Sequence, residues 1–225
     1  MPMFDNGDLA MIHACGSLDQ THSHFQTQAF IDRGTTDLDF SSGWLARYAN
    51  ANVDPTSTAF QSVAMSSAIP ASLSQAQKVV ALSSIAGFEI QAPASEVDLI
   101  SAQLQNLFAH EQSLDNTALA TFSALDSIAD LNIDDFPVEN GAVYPNSPFA
   151  GKLQDLAILI KSGIGVETAS VDIGGWDTHG EEGTTLPVLA KDYADSIAAF
   201  YTDLGTRMVD ISIITVTEFG RRVAE

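Results

Sequence analysis

Basic residues and cysteines are both scarce in this chain. Of its 225 residues, 9 are Lys or Arg and 29 are Asp or Glu, so the formal net charge is −20. A surface this acidic repels phosphate backbones, and no segment concentrates basic residues, so the composition argues against nucleic-acid binding. The single cysteine, Cys15, excludes an intrachain disulfide and a multi-cysteine zinc site. It lies in an apolar segment, where we expect a buried, unreactive side chain.

Long apolar runs are absent as well. No stretch reaches the roughly 18 consecutive apolar residues of a membrane-spanning helix, so we expect no membrane span. The first residues lack the basic and apolar regions of a secretory signal peptide. The chain starts close to one apolar segment and stops soon after another. We therefore expect it to be an internal piece of a longer protein.

Short apolar segments alternate with helical patterns along the chain. The hydrophobic content of 45% is enough for a sizeable core. The predicted strands are Leu9–Cys15, Phe60–Met65, Lys78–Leu82, Val166–Ile173 and Ile211–Thr217. The predicted helices are Gln26–Arg33, Trp44–Tyr48, Ser95–Gln112, Asn116–Leu131, Phe149–Ser162 and Leu186–Leu204. This alternation predicts one α/β domain over residues 1–225, a layered, mostly parallel sheet flanked by helices, with a helical cap at about 95–131.

The most informative stretch is Val166–His179, in which a predicted strand ends at two glycines. Asp177 and His179 follow directly, and a long amphipathic helix then leads to the predicted strand Ile211–Thr217 and to Glu218. Strand, helix and strand form a βαβ unit, whose crossover makes the two strands parallel. Ligand sites in open α/β sheets lie beyond the carboxyl ends of the strands. We therefore expect the acidic and imidazole side chains to meet at that edge.

Asp177 and His179 are the candidate metal ligands. A divalent cation such as Zn²⁺ accepts carboxylate oxygen and imidazole nitrogen, although two side chains do not complete a coordination shell. The alternative is that Asp177 caps the following helix or stabilises a turn. Local sequence alone leaves both interpretations open.

His24, Glu218 and Arg221 are the candidate catalytic residues. His24 lies in a second polar loop and is a candidate ligand or acid–base group, although a histidine in such a loop is more often simply solvated. Glu218 is a candidate ligand or general base, and Arg221 a candidate bidentate anion contact. The alternative for this pair is a salt-bridged strand end. A phosphate loop, a nucleophile elbow and a dinucleotide fingerprint are all missing, which argues against nucleotide-binding proteins and α/β-hydrolases.

These motifs resemble a known family. Gly174–His179 followed by Thr217–Arg221 resembles the bacterial domain-of-unknown-function family 1501 (DUF1501). The resemblance extends, in order along nearly the whole chain, to Ala10–Gly16, Ser23–Phe25, Gly43–Tyr48 and Phe149–Ile160.

The family is grouped with the alkaline-phosphatase and sulfatase-like superfamily. The resemblance therefore implies an alkaline-phosphatase-like sheet and an exported or periplasmic hydrolase of phosphate or sulfate esters, acting on a small-molecule or polysaccharide substrate. It implies a divalent metal held by Asp177 and His179, with Glu218, His24 and Arg221 serving catalysis. An acidic loop before Met1 and an Asp-His-Gly motif after Glu225 would complete the family pattern, so we do not expect this piece to be active alone.

A second hypothesis is an exported binding or scaffold protein that keeps the fold and has lost turnover. The sequence leaves the substrate, the metal, the nucleophile and the oligomeric state open.

Overall fold

The computed structural model describes residues 2–13, 15–16, 23–37, 39–93, 95–108, 115–178, 180 and 182–219. The described part is an α/β structure with a small parallel sheet. Its helices are α1 (Pro2–Asp5), α2 (His24–Arg33), α3 (Trp44–Ala51), α4 (Val97–Phe108), α5 (Asp115–Ala129), α6 (Pro148–Lys161) and α7 (Glu182–Leu204). Its strands are β1 (Ser62–Ala64), β2 (Val79–Ala81) and β3 (Thr168–Ser170). Short 3₁₀ helices lie at Ala59–Gln61, Ala71–Leu73, Ile133–Asp135 and Gly205–Asp210.

The sheet has the order β2–β1–β3, and both pairs of strands are parallel. Val63 at the centre of β1 lies opposite Val80 on one side and Ala169 on the other. The three strands predicted in these regions are confirmed, each in a shorter form. Because all three strands run the same way, the loops that follow them leave from one edge of the sheet, which we call the carboxyl edge.

Two other predicted strands are wrong within the described residues. Residues 9–13 and 211–217 are irregular, and most of their apolar side chains are exposed, Ile12 to 83% and Ile214 to 69%, whereas Ile211 is partly buried against the core. Cys15 is exposed too, so the prediction of a buried thiol is wrong. An apolar pattern favours extended backbone, but a strand also needs a partner for its N–H and C=O groups. Neither segment has such a partner in the sheet, and the predicted βαβ unit therefore lacks its second strand.

Helices α6 and α7 pack against each other and supply much of the core. Helix α6 begins where the Ser147 side chain accepts a hydrogen bond from the amide of Ala150, with Pro148 in the first turn. Its apolar face carries Leu159, which is fully buried. Complete burial of one such leucine contributes about 1.5–3 kcal/mol. The core formed by these two helices fixes the position of β3, which lies between them along the chain.

Helices α4 and α5 pack on each other, and both predicted helices in this region are confirmed, with α5 beginning one residue earlier and ending two residues earlier than predicted. Ala124 and Ile128 of α5 are buried in the core, and α5 also contacts the 3₁₀ helix Ala59–Gln61 that precedes β1. The role of this pair as a cap stays a prediction. Among the described helices, none combines the length and the apolar character needed to cross a bilayer.

A buried ionic network ties α6 to α7. The Asp203 carboxylate on α7 is fully buried and accepts a hydrogen bond from Lys161 Nζ of α6 at 2.9 Å. It also accepts hydrogen bonds from the amide of Glu139 at 2.7 Å and the hydroxyl of Tyr144 at 3.0 Å. Burial and the adjacent carboxylate raise the pKa of Tyr144, so its hydroxyl stays protonated as a donor. The network satisfies a charge that would otherwise be costly to bury.

Candidate carboxylate site

Helix α2 begins at His24 and places its imidazole beside Phe219. The Ser23 hydroxyl accepts a hydrogen bond from the amide of Gln26, so the helix begins at His24, and the prediction that this histidine lies in a loop is wrong. The imidazole ring lies 3.9 Å from the ring of Phe25 and 5.8 Å from the ring of Phe219, centroid to centroid. Because Phe219 follows Glu218, two of the predicted catalytic residues lie in one neighbourhood.

The same helix contributes an acidic residue, Asp32, in its last turn. Burial is the main cause that raises the pKa of the Asp32 carboxyl, and the negative charges of Asp172 and Glu218 raise it further. The positive charge of Arg33 lowers that pKa and offsets part of the effect. The Asp32 carboxyl therefore lies within electrostatic range of both Asp172 and Glu218, and we call these three residues the acidic edge.

Sequence reasoning missed two of the three residues of the acidic edge. Asp172 lies two residues beyond β3, at the carboxyl end of a parallel strand, which is where a functional carboxylate is expected. The sequence pattern places it inside the predicted strand, which extends to Ile173. Asp32 gave no signal, since an acidic residue near a helix end is ordinarily a solvated side chain.

The predicted metal ligand Asp177 lies in the irregular segment 171–178 and is exposed. The segment bends after Gly175, whose φ of +93° suits glycine. The indole N–H of Trp176 donates to the carbonyl of Ile173 at 2.9 Å, and the amide of Thr178 donates to the carbonyl of Trp176 at 3.0 Å. These bonds hold the loop as a turn beyond β3. The other predicted ligand, His179, and the predicted anion contact, Arg221, lie outside the described residues.

The described side chains do not complete a metal site. Across the part of the chain that the structure describes, no three residues among His, Cys, Asp and Glu are grouped closely enough to hold an ion. The acidic edge is therefore an electrostatic cluster rather than a coordination shell. The metal ligation predicted for Asp177 and His179 stays a prediction.

A further carboxylate lies beyond the end of β2. Asp155 of α6 accepts a hydrogen bond from the amide of Ile85 at 3.0 Å. Burial raises the pKa of this carboxyl, and the hydrogen bond offsets part of that effect. Its bond to the loop gives Asp155 a structural role, because it fixes the chain where it leaves the sheet.

The sequence that forms this arrangement was compared with known protein families. A family model described as a protein of unknown function, DUF1501, matches residues 17–225. The chain belongs to the DUF1501 family. Searches of curated proteins and of solved structures gave no significant match. The DUF1501 match includes α2, all three strands and Glu218, so the whole acidic edge lies inside the family domain.

Proposed function

We propose that this DUF1501 protein is an exported, metal-dependent hydrolase of phosphate or sulfate esters with an alkaline-phosphatase-like fold. The observation that supports the proposal most is that the negative charges of Asp172, two residues beyond the parallel strand β3, and of Glu218 both act on the Asp32 carboxyl. Perturbed carboxylates concentrate at functional sites, and this edge is where α/β proteins place their ligands.

The chemistry that these side chains can supply is proton transfer. Hydrolysis of an ester requires a proton for the leaving oxygen and a base that activates water. Asp32 suits the first task because its raised pKa lets it keep a proton at higher pH than an ordinary aspartate. Glu218 and His24, which lie in the same neighbourhood, are the proposed bases. We assign the role of nucleophile to the attacking water, since none of the side chains that the structure describes in this region is a better candidate.

The proposed metal depends on Asp177 and His179. The described residues alone do not meet the requirement of three or more ligands, so we derive no catalytic step through a metal. The negative charge of the acidic edge favours a nearby divalent cation, which is consistent with the proposal.

A non-catalytic exported binding or scaffold protein is the second proposed function. The lack of a three-ligand group within the described residues favours it, because a binding protein needs the fold but no complete coordination shell.

Metal content distinguishes the two functions. We expect near-stoichiometric divalent metal in the purified protein by elemental mass spectrometry, and loss of that metal in Asp177→Ala. The matched control is Asp134→Ala, which removes an exposed aspartate from the 3₁₀ helix Ile133–Asp135 and should leave the metal in place. A folded, metal-supplemented protein that carries no metal would contradict the hydrolase and favour the binding protein. With metal present, release of phosphate or sulfate from simple aryl esters tests turnover.

A further inference from the structure

A cavity of about 460 Å³ opens between the end of α2 and the loop that follows β1. Its volume falls within the range of roughly 300–1,000 Å³ that is typical of small-molecule sites. Part of its wall belongs to residues 69–75, in the crossover that leads from the end of β1 to the start of β2. The described residues that line it are Arg33, Ser41, Ile69, Ala71, Ser74 and Gln75.

This lining carries one positive charge and no acidic residue, although the chain as a whole has a net charge of −20. The charge belongs to Arg33, whose guanidinium donates no hydrogen bond to the described residues; its electrostatic neighbour is Asp32. The other described arginines are engaged: Arg47 donates to the carbonyl of Arg33 at 2.6 Å, and Arg207 pairs with Glu139 at 3.0 Å. As far as the described residues go, the five N–H donors of Arg33 are therefore left for a ligand.

The walls of the cavity are held in place by internal hydrogen bonds. The amide of Gly43 donates to the carbonyl of Ser74 at 3.0 Å, and a Cβ at position 43 would lie 2.0 Å from the carbonyl oxygen of Ser72. Gln75 has a φ of +67°, and its side-chain amide donates to the hydroxyl of Ser41 at 2.9 Å. The side chains of Ser41, Ile69, Ala71 and Gln75 are exposed, but these contacts order the backbone around them, which lowers the entropy lost when a ligand binds.

We infer that this cavity binds a small organic monoanion, a sulfate monoester or a carboxylate. The guanidinium of Arg33 holds the oxyanion bidentately, and the hydroxyls of Ser41 and Ser74 supply neutral hydrogen bonds. Ile69 and Ala71 form the apolar wall for the organic part. One positive charge in a strongly negative protein matches a single negative charge, because the surrounding field opposes a phosphate dianion. The inference holds whether or not the acidic edge is catalytic, since it involves no metal.

The test is an NMR titration of the ¹⁵N-labelled full chain at constant ionic strength with methyl sulfate, acetate and phosphate as separate probes. We expect saturable shifts of the amides of Gly43, Ser74 and Gln75 with methyl sulfate or acetate, and weaker binding of phosphate above its second pKa. The sulfate and acetate arms identify which oxyanion the site prefers. A metal chelator should leave these shifts unchanged, which separates this result from the outcome of the metal assay.

Variants assign the binding to the guanidinium. Arg33→Gln should weaken affinity at least about tenfold, because a charge-assisted hydrogen bond is lost. Arg33→Lys keeps the charge without the planar fork, so its affinity should lie between those of Arg33→Gln and the parent. The matched control, Arg207→Gln, should bind like the parent. The inference would be overturned if these amides showed no saturable shifts, or if folded Arg33→Gln bound as tightly as the parent. Preferred binding of the phosphate dianion would overturn it as well.

Discussion

Replacement of Lys161 by Met is expected to lower the free energy of unfolding by about 3–5 kcal/mol. The Lys161 side chain is 1% exposed and its ammonium lies 2.9 Å from the fully buried carboxylate of Asp203. Without the ammonium, that carboxylate keeps the neutral donors Tyr144 and the amide of Glu139 but has no counter-charge. Burial of an uncompensated charge is the most costly outcome for such a pair. Urea denaturation followed by circular dichroism measures the change.

A matched control separates burial from charge removal. Lys191 forms an ion pair with Asp195 on the surface of α7, and its side chain is 75% exposed. Lys191→Met should change stability by no more than about 1 kcal/mol, because exposed pairs contribute little. A double variant, Lys161→Met with Asp203→Leu, should recover much of the lost stability, since neither buried charge remains. Equal effects of the two single lysine variants would contradict this account of the network.

Replacement of Phe60 by Ala is expected to cost about 3–5 kcal/mol, the second largest effect on stability. Phe60 is 1% exposed and lies in the 3₁₀ helix that leads directly into the central strand β1. Its removal leaves a cavity at the point where α5 contacts that 3₁₀ helix, and the rigid sheet limits how far the surroundings can close. Thermal or urea unfolding measures the loss.

Phe4→Ala is the control for this prediction, because Phe4 on α1 is 47% exposed. A surface substitution of this kind should stay within about 0.5 kcal/mol of the parent. If Phe60→Ala proved as mild as Phe4→Ala, the position of the core under β1 would be wrong.

Helices and buried strands were predictable from the sequence because their patterns reflect burial. The regular apolar spacing in Phe149–Ser162 and Leu186–Leu204 predicted α6 and α7. In the structure these helices begin earlier than predicted, at Pro148 and Glu182. The segments 9–13 and 211–217 have equally apolar sequences, yet they form no strand within the described residues. Strand formation depends on a partner elsewhere in the fold, and periodicity carries no information about that partner.

In the candidate site, too, some residues are recognisable from local sequence and others only from the tertiary fold. His24 and Glu218 were candidates because a histidine and a carboxylate in polar segments after predicted strands suggest chemistry by residue type alone. Asp32 becomes part of the site only when α2 packs where its last turn meets the charges of Asp172 and Glu218. This proximity depends on the tertiary fold, which brings together segments far apart in the chain. A local sequence pattern does not predict it.

The central claim is that Asp32, Asp172 and Glu218 act as one electrostatic site. The most direct test is titration of the Asp32 carboxyl by ¹³C NMR in the parent, in Asp172→Asn and in Glu218→Gln. We predict a pKa above the ordinary value of about 3.9 in the parent. Each variant should show a partial fall, because burial persists when one negative charge is removed, and Asp134→Asn should show none. An ordinary pKa in the parent, unchanged in both variants, would contradict the claim.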